Sequence, residues 1–128
     1  MAEKRLVRSI LCAATIALGL GLRRFGYDLG LPFLIVKYGG SALWGTMMFF
    51  IVGVALPSRS RTQTTAIALT LAILVELSRL YHTPELDAFR QTAAGALLLG
   101  RVFSVWNMVA YAAGIALGFV CDRAINRR

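Results

Sequence analysis

Apolar residues fall along the chain in four long blocks, each bounded by charged or polar residues. An α-helix rises about 1.5 Å per residue, so blocks of about 17–20 residues reach across a hydrocarbon core of about 30 Å. The pattern therefore predicts an all-α, polytopic membrane protein, a bundle of four transmembrane helices that forms a single domain over residues 1–128. The predicted spans cover residues 6–22, 38–56, 64–81 and 102–121.

The segment that follows the third block predicts a short helix over residues 84–94. Thr83 is a good N-cap, and Pro84 suits the first helical position, where its missing N–H loses no hydrogen bond. About fifteen residues are too few to span a bilayer. We therefore predict that this segment lies at the outer interface or enters the membrane and returns, with a helix break at Gly95.

The composition supports a membrane protein. Apolar residues make up 58% of the chain, its mean hydropathy is +0.68, and only 16% of residues are charged, whereas a soluble domain carries about 25% charged residues. The net charge of +8 would indicate a nucleic-acid partner in a soluble protein. Here the basic residues stand mostly at the ends of the apolar blocks, so membrane lipids are the predicted partners and nucleic acid is not.

The positions of the basic residues also predict the orientation. With both termini in the cytoplasm, the larger share of basic residues lies on the cytoplasmic side, as the positive-inside rule requires. The first block has a basic start, as a signal peptide does, but it is too long and lacks a small-residue cleavage site, so a retained anchor is favoured. The basic residues assigned to the cytoplasmic side are Lys4, Arg5, Arg8, Arg59, Arg61, Arg123, Arg127 and Arg128.

Small residues recur every fourth position in three of the blocks, a spacing that allows close helix packing in membranes. They are interpreted as packing seams within one molecule, and a homo-oligomer through one of them is left open. The seams are Ala13, Ala17 and Gly21, then Ser41 and Gly45, then Ala110, Gly114 and Gly118.

The strongest functional signal is a pair of charges at the end of the third apolar block. Glu76 and Arg79 follow the apolar run 66–75, and an unpaired charge in the membrane costs roughly 2.5–3.5 kcal/mol on insertion scales. The two residues could neutralise each other at i, i+3 or line a polar cleft, and these interpretations are compatible. Lys37 is placed at the outer interface, either extending its ammonium to water or pairing with Glu76.

The residues around the short helix are weaker candidates. His82 has no second His or Cys at ligand spacing, so a metal site is not predicted and an interfacial hydrogen bond is favoured. Asp87 and Arg90 are predicted to form a solvated ion pair. Arg101, at the edge of the fourth block, is the candidate for phosphate recognition because its planar guanidinium can bind bidentately.

The remaining candidate residues lie in the fourth block or are large aromatic residues. Asn107 and Tyr111 stand one helical turn apart and are predicted to form hydrogen bonds across to another helix. Trp44, Tyr81 and Trp106 are predicted to form an aromatic belt at the outer interface. The chain contains no nucleophile elbow, phosphate-binding glycine loop, paired histidines or Cys-x-x-Cys motif, so no catalytic residue and no cofactor are predicted.

Four stretches resemble the small bacterial membrane proteins grouped as domain of unknown function 2809. They are residues 37–44 (KYGGSALW), 76–90 (ELSRLYHTPELDAFR), 95–103 (GALLLGRVF) and 107–114 (NMVAYAAG), so the likeness covers nearly the whole chain. More remotely, an acid on the third helix followed by a polar residue and glycine on the fourth is similar to VanZ-like proteins. The resemblance implies a multi-pass protein of the bacterial inner membrane and no characterised activity.

The chain departs from the pattern of that family at three positions. An Asp often stands in the family where this chain has Ser41 and Asn107, and a Gln where it has Arg79. These departures remove two acids from the predicted cleft and add a base, which weakens any proton relay built on them.

The sequence therefore predicts an outward-facing polar cleft that binds the headgroup of an anionic lipid or cell-envelope precursor. Two alternatives stay open: a small proton-coupled transporter or permease subunit in which Glu76 titrates, and a membrane scaffold whose polar residues only hold helices together. The residues assigned to the cleft are Lys37, Glu76, Arg79, His82, Asp87, Arg90, Arg101, Asn107 and Tyr111.

Overall fold

A computed structural model of the chain describes residues 2–81, 83–98 and 105–125, and every regular element in these residues is an α-helix. The all-α prediction is confirmed. The helices are α1 (Ala2–Phe25), α2 (Phe33–Ala55), α3 (Arg61–Ser78), α4 (Pro84–Arg90), α5 (Ala93–Leu98) and α6 (Val105–Ile125).

The first three helices begin before their predicted apolar blocks, and the residues that precede α2 and α3 explain where those two helices begin. Ser60 and Gln63 form a reciprocal capping box that starts α3 at Arg61. Pro32, in an extended conformation, precedes α2. The turn between α1 and α2 closes at Gly30, whose φ of +83° favours a residue without a Cβ.

The short helix predicted over 84–94 is two helices. α4 begins at Pro84, and the Thr83 hydroxyl accepts a hydrogen bond from the Leu86 N–H at 3.1 Å. The helix is interrupted at residues 91–92 and not at Gly95, which lies inside α5. A Cβ at Gly95 would overlap the backbone of Phe89, so this glycine allows α5 to pack against α4.

Three of the described helices are long and apolar enough to cross a membrane, namely Arg5–Phe25, Phe33–Ala55 and Val105–Ile125. Large apolar side chains such as Leu18 and Val120 project from the bundle into the surroundings, as they do where the solvent is lipid. The chain is therefore a membrane protein. A fourth span through α3, and an interfacial or re-entrant position for α4 and α5, stay predictions.

Helix α2 is central and contacts α1, α3 and α6, while α3 also packs against α6. The closest approach is between α2 and α6. A Cβ at Gly114 would overlap the backbone of Ala42, and one at Gly45 would overlap the backbone of Tyr111. The Thr46 hydroxyl donates to the Gly114 carbonyl at 2.6 Å across the same contact. The predicted seams of these two helices thus face each other within one molecule.

The prediction that the α1 seam packs within one molecule is wrong, while a homo-oligomer through this seam stays a prediction. Ala13 and Ala17 are exposed, and a Cβ added at Gly21 would meet no atom within 4 Å. The face that packs on α2 instead carries Arg8 and Thr15, both buried. The reason is an ion pair of Arg8, described below, which fixes the rotation of α1 about its own axis.

Two ends of the bundle can be named by their buried acids. The Asp122 end holds the starts of α1 and α3 and the ends of α2 and α6, because Arg8, Gly53, Arg61 and Asp122 meet there. The Glu76 end lies opposite and holds the end of α3 with the starts of α2 and α6.

Candidate functional site

Glu76 is completely buried at its end of the bundle, and its carboxylate has partners on both oxygens. The Tyr111 hydroxyl donates to Oε2 at 2.8 Å, and Nη1 of Arg79 lies 2.9 Å from the same oxygen. Nδ2 of Asn107 donates to Oε1 at 3.4 Å. Because a buried charge is stable only when it is paired and hydrogen-bonded, these contacts explain how α3 carries an acid inside the bundle.

The network continues from Glu76 into α2. The Ser41 hydroxyl lies 3.2 Å from Oδ1 of Asn107, to which it donates, and 3.1 Å from the Lys37 carbonyl. The Trp44 ring packs on Tyr111 with centroids 4.7 Å apart. We call Ser41, Trp44, Glu76, Arg79, Asn107 and Tyr111 the Glu76 cluster. Four of the residues predicted for the cleft therefore lie together, and Ser41 and Trp44 join them.

Trp44 is buried within the cluster, with 8% of its surface exposed. The prediction that it belongs to an interfacial aromatic belt is therefore wrong, whereas Tyr81 and Trp106 are exposed. Trp44 faces the bundle because it follows Ser41 by about one turn and so shares its inward face.

Two buried N–H donors have no acceptor among the residues that the structure describes. They are Nε1 of Trp44 and Nε of Arg90. A buried donor without a partner costs about 1–3 kcal/mol in proteins.

Arg90 is not the solvated residue that the sequence predicts. Its side chain is only 2% exposed, while that of Asp87 is 46% exposed. Nη1 donates to the Tyr81 carbonyl at 2.9 Å and to Oδ1 of Asp87 at 3.2 Å, and Nη2 donates to the Ser78 carbonyl at 2.5 Å. The guanidinium is buried at the end of α3, where it is held by the Ser78 and Tyr81 carbonyls and by Asp87.

The remaining predicted residues lie apart from the cluster or outside the described residues. Lys37 is exposed on the first turns of α2, and its ammonium lies 5.8 Å from the Phe33 ring centroid and 5.3 Å from that of Tyr38. Within the described residues it forms no ion pair with Glu76, which favours the interpretation that its stem lies along apolar surface. His82 and Arg101 are outside the described residues.

The sequence analysis missed a second buried cluster, at the opposite end. Asp122 binds Arg8 bidentately, with Nε of Arg8 2.8 Å from Oδ1 and Nη2 3.0 Å from Oδ2. Nε of Arg61 donates to Oδ2 at 2.6 Å, and Nη1 of Arg8 donates to the Gly53 carbonyl at 2.9 Å. We call these four residues the Asp122 cluster. It ties α1, α2, α3 and α6 together.

The signal for this cluster was two charges at the edges of apolar blocks, Arg8 near the start of the first and Asp122 at the end of the last. The sequence analysis used Arg8 only to predict the orientation of the chain. Their pairing spans 114 positions and depends on how α1 and α6 are arranged in space. No group of three or more His, Cys, Asp or Glu side chains in the described residues is placed to hold a metal ion.

The comparison with known families settles the affiliation of the chain. The family model of DUF2809, described as proteins of unknown function, matches residues 31–115, about two thirds of the chain. The chain belongs to the DUF2809 family. This confirms the resemblance inferred from the sequence, whereas the likeness to VanZ-like proteins finds no support.

The DUF2809 match contains one of the two clusters in full and only part of the other. It includes every residue of the Glu76 cluster, from Ser41 to Tyr111, but it does not reach Arg8 or Asp122. The Glu76 cluster therefore lies wholly within the part of the chain that belongs to the family. No solved structure matches the chain.

Proposed function

We propose that this membrane protein binds an anionic headgroup, carried by a lipid or a cell-envelope precursor, at its Glu76 end. The observation that carries the proposal is the excess of buried donors there. Trp44 Nε1 and Arg90 Nε have no acceptor among the described residues, while the Glu76 carboxylate accepts from Tyr111 and Asn107 and pairs with Arg79. Phosphate or carboxylate oxygens would supply the missing acceptors.

Glu76 has a positioning role in this proposal. Both oxygens of its carboxylate already have partners, whereas the Arg79 side chain is 10% exposed. The short contact between Arg79 and Glu76 holds the guanidinium in one orientation. Arginine binds phosphate and carboxylate bidentately, so fixing its plane lowers the entropy cost of binding.

The proposal includes a fourth membrane span through α3. Helices α2 and α6 both begin at the Glu76 end, so the chain between them has to return from the Asp122 end, and α3 is the long helix that does so. Its 18 residues correspond to about 27 Å. The polar ends of α3 are neutralised by Asp122 at Arg61 and by Arg79 at Glu76, which lowers the cost of placing them near lipid.

The proposed orientation places the Asp122 end in the cytoplasm of a bacterial cell and the Glu76 end outside. Five arginines in the described residues lie at the Asp122 end, and the acidic residues of the described chain at this end are Asp122 and Glu3 in the first turn of α1. Positive charge marks the cytoplasmic side of membrane proteins. The arginines are Arg5, Arg8, Arg59, Arg61 and Arg123.

The fluorescence of Trp44 tests headgroup binding. In a Trp106→Phe background, Trp44 is the only tryptophan, and it packs within the cluster. Purified protein is titrated in mixed micelles with phosphatidylglycerol or with zwitterionic phosphatidylcholine. We expect a saturable change in Trp44 emission with phosphatidylglycerol alone. Arg79→Gln should weaken this response about tenfold, as expected when a hydrogen bond to a charged group is lost.

The matched control is Arg24→Gln, which removes an exposed arginine at the end of α1, on the same side of the bundle. This variant should keep the parental response. Equal responses to the two lipids, or equal losses in Arg79→Gln and Arg24→Gln, would contradict the proposal and favour a cluster that only holds helices together.

A further inference from the structure

We infer that the Asp122 end carries a second anion site, a groove between the start of α3 and the end of α6 that binds the phosphate of an anionic phospholipid. The groove has a volume of about 530 Å³ and is lined by Arg61, Val120, Arg123 and Ala124. Ligand sites in proteins have volumes of about 300–1,000 Å³, so the groove is large enough for a headgroup. This inference does not depend on the function proposed for the Glu76 end.

The charge of the groove is positive because the Asp122 carboxylate, which contacts its lining residue Arg61, is shared. Asp122 pairs with both Arg8 and Arg61, so one negative charge faces two guanidinium groups. Arg123, on the last turn of α6, adds a further positive charge and is exposed. The helix dipoles offset each other here, because the positive end of α3 at Arg61 and the negative end of α6 at Ala124 both lie at the groove.

Arg61 is held in place before any ligand arrives. Its Nε donates to Oδ2 of Asp122 at 2.6 Å and its Nη2 to the Asp122 carbonyl at 3.4 Å, yet 18% of the side chain stays exposed. A guanidinium fixed on one edge by a buried acid presents its other edge to the groove. The groove thus contains one cation that is held in place, Arg61, and one exposed cation, Arg123.

The apolar surface beside the groove favours a lipid over a free phosphate ion. Leu117 and Val120 lie about one turn apart on α6 and are 51% and 60% exposed, and Val120 also lines the groove. An acyl chain could lie along these residues while its phosphate reaches the two arginines. Basic residues at a membrane surface attract anionic lipids by about 1 kcal/mol each.

Native mass spectrometry of the purified protein, titrated with phosphatidylglycerol or phosphatidylcholine, tests the site. We expect Arg123→Gln to weaken the binding of one phosphatidylglycerol about fivefold, the loss expected for one cation near an anionic lipid. Arg123 is the suitable position because it is exposed and forms no ion pair with the described residues, so the fold should survive. Arg59→Gln, an exposed arginine outside the groove at the same end, is the matched control and should change binding little.

Two further arms make the result decisive. Glu76→Gln should leave the Arg123-dependent lipid bound, which separates this site from the one proposed at the Glu76 end. Inorganic phosphate at millimolar concentration should not displace that lipid. Displacement by phosphate, equal binding of both lipids, or equal losses in Arg123→Gln and Arg59→Gln would overturn the inference.

Discussion

The two ends of the bundle stabilise a buried carboxylate in different ways. Each end buries a carboxylate, Asp122 or Glu76, together with arginine. The Asp122 cluster joins all four long helices, and none of its described side chains leaves a buried polar atom without a partner. The Glu76 cluster joins α2, α3 and α6, and it leaves the indole N–H of Trp44 without an acceptor among the described residues.

The difference indicates a division of roles. A fully satisfied buried network rigidifies the helices that it joins, whereas an unpaired buried donor is costly and would be stabilised by an acceptor from a ligand. The DUF2809 match includes the whole Glu76 cluster but excludes Arg8 and Asp122. In the function proposed above, the Asp122 cluster mainly holds the helices of this chain together and the Glu76 cluster binds the ligand.

The largest expected effect is the loss of stability when the Asp122 cluster is broken. Asp122→Asn leaves the guanidinium of Arg8 buried without a counter-charge, and both side chains are completely buried. Removing one partner of a buried pair costs about 3–5 kcal/mol. Unfolding by titration with a denaturing detergent should show this loss. Asp28→Asn, at an exposed acid between α1 and α2, should change stability by less than about 0.5 kcal/mol.

A second test concerns the contact between α2 and α6 that joins the two ends. Gly114→Ala puts a methyl group against the backbone of Ala42, and overpacking of this kind costs about 1–3 kcal/mol. The helices should separate near Tyr111, so the Trp44 response to lipid should fall together with thermal stability.

Gly40→Ala is the matched control for Gly114→Ala. Gly40 also lies in a helix, but a Cβ there would meet no atom within 4 Å. The change should leave stability equal or raise it by up to about 1 kcal/mol, because alanine favours helix more than glycine does. If both variants lose the same stability, the close α2–α6 contact does not control the Glu76 end.

The smallest expected change in stability comes from Tyr111→Phe. The variant removes the hydroxyl that donates to Glu76 at 2.8 Å and keeps the ring that packs on Trp44. Side-chain hydrogen bonds inside membrane proteins contribute about 0.6 kcal/mol on average and up to about 1.7 kcal/mol. The melting temperature should therefore fall only slightly. A loss of stability as large as that of Asp122→Asn would show that the Glu76 cluster also serves mainly to hold the helices together.

The sequence allowed the local features of the fold and site to be predicted. Membrane helices follow from apolar blocks, the start of α4 from Thr83 and Pro84, and the Glu76–Arg79 pair from its i, i+3 spacing. Asn107 and Tyr111 stand one turn apart, so a shared face was expected. Each of these depends on residues that are close along the chain.

The features that could not be predicted depend on how helices are rotated and paired. Arg8 reaches Asp122 across 114 positions, and that pairing turns the Ala13–Ala17 face of α1 outward. Tryptophan is common in interfacial aromatic belts, yet the position of Trp44 one turn after Ser41 places it against Tyr111. The hydropathy pattern does not reveal how a membrane helix is rotated about its own axis, because lipid-facing and core-facing positions are both apolar.

The central claim is that the Glu76 end holds a buried donor that a headgroup satisfies, and NMR of the Trp44 indole tests it most directly. The protein is labelled with ¹⁵N-tryptophan in nanodiscs of phosphatidylcholine, with or without phosphatidylglycerol, and Trp106→Phe assigns the two indole signals. Our account predicts that the indole proton of Trp44 moves downfield with phosphatidylglycerol, as a new hydrogen bond requires, and that the shift disappears in Arg79→Gln. An indole signal of Trp44 at the same position in both membranes would contradict the account.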